Sequence, residues 1–208
     1  MKQMLVPSLA FFGLTFALLL GHARAQGTSK PPAPGEGQTT KAAAANPADV
    51  SSVDNILAAL YDTISGPAGK PRDWDRFRSL FIPGARLMPT SPVRPAGTPP
   101  DAPLTGHEMY ATHVFDPEGY VERASKFFAT EGFYEREVAR RTESYGHVVH
   151  AWSTYESRHK PDDPVPFARG VNSIQLMNDG QRWWVVSILW ESETPRTPLP
   201  EKYLKRTP

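Results

Sequence analysis

The chain has 208 residues, with 23 Lys and Arg against 22 Asp and Glu and no cysteine. So even a balance gives no electrostatic case for nucleic acid or an anionic membrane as partner. The lack of cysteine excludes both a disulfide framework and a lipid-attachment thiol.

Residues 1–25 carry Lys2, an apolar run from Leu5 to Leu20, and the small residues Ala23 and Ala25 around Arg24. That is the pattern of a secretory signal, with cleavage expected after Ala25. Pro7 interrupts the run, and the part from Ser8 to Leu20 is short of the roughly 20 residues that a membrane span needs. A cleaved signal is therefore favoured over an uncleaved anchor, and the mature protein is expected to be periplasmic or secreted and free of the membrane. Removing Lys2 and Arg24 leaves 21 basic and 22 acidic side chains, a net charge of −1. Residues 26–48 are rich in Ala, Pro, Gly, Thr and Lys and hold no large apolar residue. Nothing there offsets the entropy of ordering, so the segment reads as a disordered linker. One domain is expected over residues 49–194, with a Pro-rich tail over 195–208.

Val50, Val53, Ile56, Leu57, Leu60, Tyr61 and Ile64 recur at helical spacing, with Asp54, Asn55 and Asp62 between them, which predicts an amphipathic helix ended by Gly66-Pro67. A shorter helix starts at Asp73, with Trp74, Phe77, Leu80 and Phe81 on one side. Six prolines between Pro89 and Pro103 predict a long loop, flanked by short strands at Ala85–Met88 and near Leu104. Asp116 stands as a cap before Pro117, and Tyr120, Val121, Ala124, Phe127 and Phe128 form the inward stripe of a third helix. Four long strands follow as a meander: 133–145, 147–159, 167–177 and 182–193. Their reversals fall at Gly146, between Pro161 and Pro166, and at Asn178-Asp179-Gly180. Connected antiparallel strands need no crossover helices, so the class is α+β.

This order of elements, with Phe81-Ile82-Pro83-Gly84-Ala85 after the second helix and the hairpin from Gly170 to Trp190 containing Asp179-Gly180-Gln181-Arg182-Trp183-Trp184, resembles the nuclear transport factor 2-like superfamily, which takes in SnoaL-like and ketosteroid-isomerase-like proteins. The resemblance covers about Val50 to Glu193. It implies a cone: a strongly curved antiparallel sheet wrapped around about three helices, with a pocket between them. It implies a fold more than an activity, because the superfamily includes isomerases, dehydratases, polyketide cyclases, transport adaptors and secreted members without an assigned reaction. Dimerisation through the sheet is common among them, so a homodimer is expected. Cover of the outer sheet face by Leu199, Tyr203 and Leu204 is the rival arrangement.

No carboxylate matches the base of the ketosteroid-isomerase-like members. Asp116 reads as a helix cap, and Asp54 and Asp62 as solvated. His147 and His150 point to opposite faces of one strand, and the His107-Glu108 to His113 spacing is not that of a zinc protease, so no metal and no cofactor is expected. His150, whose same-face neighbours are Val148 and Trp152, is a candidate acid or base, with Tyr134 or Tyr155 as hydrogen-bond donor. The residues expected to line a ligand pocket are Trp152, Asn172, Ser173, Gln175, Trp184 and Trp190. Alternation puts Trp183, Val185 and Leu189 on one face of the last strand and Trp184, Val186, Ile188 and Trp190 on the other, without saying which is inward. Glu135, Arg136, Glu137, Arg140, Arg141 and Glu143, with Glu156 and Arg158, read as cross-strand ion pairs on a solvated face. The expected function is binding of a small, partly apolar molecule in an aromatic-lined pocket. The alternatives are an isomerase- or dehydratase-like enzyme using a pocket His and Tyr, and a structural dimerisation module.

Overall fold

The computed structural model describes residues 44–99 and 102–205; the expected signal segment and most of the expected linker lie outside the described residues. The apolar stripe of the first predicted helix is divided between α1 (Pro47–Val50) and α2 (Val53–Ile64). The division falls where it does because the Ser52 hydroxyl accepts the Asn55 amide hydrogen at 3.1 Å and starts a new helix. α1 begins just ahead of the expected boundary at Asp49, capped by Asn46.

Asp73 caps α3 (Trp74–Ser79) as its position suggests, accepting from the Arg76 amide at 2.9 Å. Between α2 and α3 the buried Arg72 guanidinium donates to the carbonyls of Ile64 and Pro67 at 3.0 Å and of Gly66 and Lys70 at 2.6 Å. It also lies 4.7 Å over the Phe128 ring. One side chain thus ties the last carbonyl of α2 to three carbonyls of the loop that follows it.

β1 (Phe81–Pro92) corrects the expected loop: the strand runs on past Met88, and its short partner β2 is Tyr110–Thr112 and not a segment near Leu104. Two prolines are accommodated by position. The Pro89 carbonyl accepts from His113, so its missing amide points to the same side, toward the thin ladder at the sheet edge. Pro92 lies beyond the last β1–β6 pair, Thr90 with Glu191. α4 (Pro117–Phe128) follows, with the Asp116 carboxylate accepting from Gly119 at 2.8 Å.

The four long strands, β3 (Tyr134–Tyr145), β4 (Val148–Arg158), β5 (Ala168–Asn178) and β6 (Trp183–Ser192), fall within a residue of their expected limits. With the first two strands they form one curved sheet in the order β2-β1-β6-β5-β4-β3. The α+β class and the cone architecture are those expected, with one difference: β1 and β6 run parallel, while every other pair is antiparallel. The core lies between the helices and one face of the sheet, where Ile56, Leu57, Phe77, Leu80, Ile174, Leu176 and Val185 are completely or almost completely buried.

Two bulges decide which side chains reach that core. In β6, Gln175 faces Ser187 and Leu176 faces Val185, so Val186 is an extra residue. Trp183 and Val185 before it, and Ile188 and Trp190 after it, all pack on the helix side. The two sets that simple alternation separates are therefore mixed. In β3, Glu137 faces Tyr155 and Ala139 faces Thr154, so Val138 is the extra residue. Glu137 and Arg140, an odd number of residues apart, then share the inner face.

The outer face is partly covered by the C-terminal tail. A single 3₁₀ turn, Glu201–Tyr203, sets the Tyr203 ring 5.7 Å from Trp152, and the Tyr203 carbonyl accepts from the Thr154 hydroxyl at 2.5 Å. Leu204 remains exposed. No helix among the described residues is long and apolar enough to cross a membrane.

Candidate functional site

Three acidic and basic residues expected on a solvated face, Glu135, Glu137 and Arg140, instead point into the cone. Alternation along β3 from Phe133 would leave Arg140 outside, and the Val138 bulge turns it inward. At Glu135 and Glu137 alternation had a usable signal, since Phe133 packs on the core and shares their parity. Arg136 and Arg158 do behave as expected, pairing with Glu156 at 3.3 and 2.8 Å.

Inside the cone, Arg140 holds Glu137 through Nε at 2.9 and 3.0 Å and reaches Asp54 of α2 at 2.5 Å. Glu137 in turn accepts from the Ser153 hydroxyl. A carboxylate can only accept, so the donor direction propagates. Ser153 gives its proton to Glu137, Tyr61 gives its own to Ser153 at 2.7 Å, and the Asn172 amide donates to the Tyr61 oxygen at 3.0 Å. Tyr61, Ser153 and Asn172 are 5%, 0% and 7% exposed. The chain is one-way, and it holds Tyr61 as a neutral phenol. Burial, with the neighbouring Glu135 charge, raises that phenol far above its ordinary range, against the opposing effect of its Ser153 and Asn172 bonds.

Glu135 sits beside this chain. Among the described residues its one side-chain hydrogen-bond donor is the buried Ser157 hydroxyl, at 2.7 Å on Oε2. Burial pushes its carboxyl up to about 7, and that single hydroxyl is too weak to bring it back. Tyr61, Tyr120 and Tyr155 all feel its charge, and burial first, then Glu135, raises each phenol. Tyr155 crosses the strand pair to meet the Ser192 hydroxyl at 2.9 Å. It passes over Gly170, where a Cβ would stand 2.6 Å from the Tyr155 oxygen and 2.3 Å from the Glu191 carbonyl. Tyr120 stacks on Phe77, 5.3 Å between ring centres.

A cleft of about 410 Å³ opens between α2 and the start of β3. Ala58, Tyr61, Asp62 and Ser65 form its helix wall, Tyr134, Glu135 and Arg136 its sheet wall, and Arg158 and Pro161 its end. Tyr61 and Glu135 thus belong both to the cleft and to the buried network. Ser65 pins the wall by accepting the Glu135 amide at 3.0 Å. A second cleft of about 500 Å³ runs along the Pro-rich loop past Arg94, His107 and Glu108. There the Glu108 carboxylate is taken up by Thr105 and the Gly106 amide.

The residues expected to form the site are divided by the sheet. His150, Trp152, Ser173, Gln175 and Trp184 lie on the outer face. His150 Nε2 is 2.9 Å from the Ser173 hydroxyl, its ring is 4.7 Å from Trp152, and the Trp184 indole donates to Asp179 at 2.7 Å. Asn172, Trp190 and Tyr155 lie on the inner face, Asn172 on Tyr61 and Trp190 against the core. His150 and Tyr155 are an odd number of residues apart on β4, whose pairing with β5 is regular throughout. They cannot meet at one substrate, and this corrects the expected pairing of His150 with Tyr155. The tryptophans do not join in one wall either. Tyr134 alone of the expected set lines the cleft. Among the described residues no group of three or more His, Cys, Asp or Glu side chains could hold a metal ion.

No family model matches the sequence, and no curated protein matches it. Similar solved structures include nuclear transport factor 2-like proteins. One, from Streptomyces avermitilis and provisionally named a dehydratase, is 12% identical, with a TM-score of 0.46 over 70% of this chain and 96% of its own. An NTF2-like protein of unknown function from Shewanella baltica OS155 is 10% identical, with a TM-score of 0.38 over 68% and 90%. A protein from Kribbella flavida DSM 17836, provisionally named a ketosteroid isomerase, is 14% identical, with a TM-score of 0.38 over 78% and 95%.

Proposed function

We propose that this chain is an exported binding protein that takes a small, partly apolar molecule in the cleft between α2 and β3, with Glu135 as the polar group that reads it. The observation that carries the proposal is Glu135 itself: a carboxyl at the wall of a cleft, set among three phenols, with its pKa at about 7. A group so tuned at such a place is a functional-site candidate on physical grounds. Near neutral pH it is a donor in about half of the molecules and an acceptor in the rest, so it can hydrogen-bond a carbonyl or a hydroxyl. The Tyr61 and Tyr134 rings supply the apolar contact.

A thermal-shift library screen of wild type against Ala58→Trp tests the proposal. Ala58 is exposed on the cleft wall, and the larger ring there fills the space without touching the core. Compounds are expected to stabilise wild type and not the variant. Equal stabilisation of both, or of neither, removes the cleft as a binding site.

A second reading, proton transfer of an isomerase or lyase kind, is favoured by the same pKa, since a general acid–base works best near the ambient pH. Glu135 replaces His150 as the acid or base in that reading. It predicts that a bound ligand exchanges a C–H for deuterium in heavy water and that Glu135→Gln abolishes the exchange. Exchange that survives in the variant rejects it. Export is tested by N-terminal sequencing of the protein recovered outside the cytoplasm, which is expected to begin at Gln26.

A further inference from the structure

The charges around the cleft are unequally committed. On the helix wall, Asp62 is taken by Arg76, which also holds Asp49 through Nε and Nη2 at 2.8 and 3.0 Å. On the sheet wall the balance is reversed: Arg136 and Arg158 share a single oxygen, Glu156 Oε2. The next guanidinium on that surface, Arg169, already has its own partner in Glu193 at 2.7 Å. Arg158 is only 11% exposed, and its Nε donates to the Asp163 carbonyl at 2.9 Å. Arg136 is 67% exposed, and beyond its long contact with Glu156 its donors have no other protein acceptor among the described residues. A guanidinium offers five donors in a fixed fork that matches an oxyanion, so most of the capacity of Arg136 stands unused at the wall of the cleft. No carboxylate in the cleft is equally free for a cation, because Asp62 is engaged and burial drives Glu135 toward its neutral form.

We propose that the occupant of the cleft is an amphiphilic oxyanion, an apolar body of one or two rings carrying a carboxylate, sulfonate or phosphate that Arg136 and Arg158 hold at the rim. This rests on the reading of the cleft as a small-molecule site and adds the chemical class of the ligand. The body lies along Ala58, Tyr134 and Pro161 and the anionic end meets the two guanidinium groups.

The test is fluorescence titration of the mature chain with two dyes of nearly the same aromatic body, anilinonaphthalene sulfonate and uncharged phenylnaphthylamine. The sulfonate dye is expected to bind the tighter of the two. Its dissociation constant should rise about tenfold in Arg136→Gln, the scale of one lost charge-assisted hydrogen bond, while the neutral dye is unaffected. Ala58→Trp should abolish both. Displacement of the sulfonate dye by naphthoate or by naphthyl phosphate tells which oxyanion is preferred, and displacement by neither counts against the proposal. If Ala58→Trp abolishes both dyes but Arg136→Gln changes neither, the oxyanion class is overturned and the cleft survives. If both dyes ignore Ala58→Trp, the cleft reading fails and this proposal fails with it.

Discussion

Replacing Glu135 by Gln removes a titration that burial has moved into the neutral range. Below about pH 4.5 the carboxyl is protonated in both the folded and the unfolded chain and costs nothing. Between that value and about 7, the unfolded chain releases its proton while the folded chain keeps it, so stability falls as pH rises. Above about 7 both are ionised and the full penalty stands. Each pH unit of displacement corresponds to about 1.4 kcal/mol, so the move from 4.5 to about 7 sets an upper bound of about 3.5 kcal/mol; partial access to solvent at the cleft brings the figure to about 2 kcal/mol. Glu135→Gln is therefore expected to match wild type at pH 4.5 and to exceed it by about 2 kcal/mol at pH 8. Urea unfolding of both proteins at the two pH values measures the difference, and groups that titrate alike in the two cancel. A difference that does not change with pH, or a wild type more stable than the variant at pH 8, refutes the placement of this carboxyl.

Arg140→Met takes the guanidinium away from the Glu137 carboxylate at a position 8% exposed. The expected cost is about 3 kcal/mol in urea unfolding, largely recovered when Glu137→Leu is added, and a loss under about 1 kcal/mol would mean that the pair is effectively solvated. Gly170→Ala forces a Cβ against the Glu191 carbonyl and the Tyr155 hydroxyl. A loss of at least about 2 kcal/mol is expected, and a neutral outcome would mean that Tyr155 does not cross at Gly170. Arg72→Lys replaces a fork serving four carbonyls by a single ammonium, with an expected cost of about 2 kcal/mol and faster hydrogen exchange at the end of α2. Deleting residues 195–208 uncovers Trp152 and Thr154 on the outer face. Sedimentation at micromolar concentration is expected to give a monomer for the full mature chain and a dimer for the truncated one, and an unchanged state removes the tail as the rival of the homodimer.

The elements were legible because they are local. The helix start at Asp73, the Asp116 cap, the glycine turns and the period-two stretches each depend on a few neighbouring residues, and the four long strands lie where those signals put them. The proline-rich stretch was less legible. Whether Pro89 can enter a strand depends on which neighbour its missing amide faces, and that is a property of sheet order and not of local preference.

The site was the least legible part, and the misplacement of Arg140 and of the β6 side chains has one physical reason. Side-chain direction along a strand has period two, so a single extra residue reverses every side chain beyond it. Val138 and Val186 are such residues, and nothing in their own chemistry marks them, because a bulge is settled by how two distant strands pair. The sequence by itself therefore determined the main helices, the four long strands and the stock of carboxylates and phenols, while the cone came from the family resemblance. Only the tertiary structure decided that Arg140 joins Glu137 inside while His150 stays outside. The near-neutral carboxyl of Glu135 is tertiary in the same sense, because its pKa comes from the loss of water around it and not from the residues beside it in the chain.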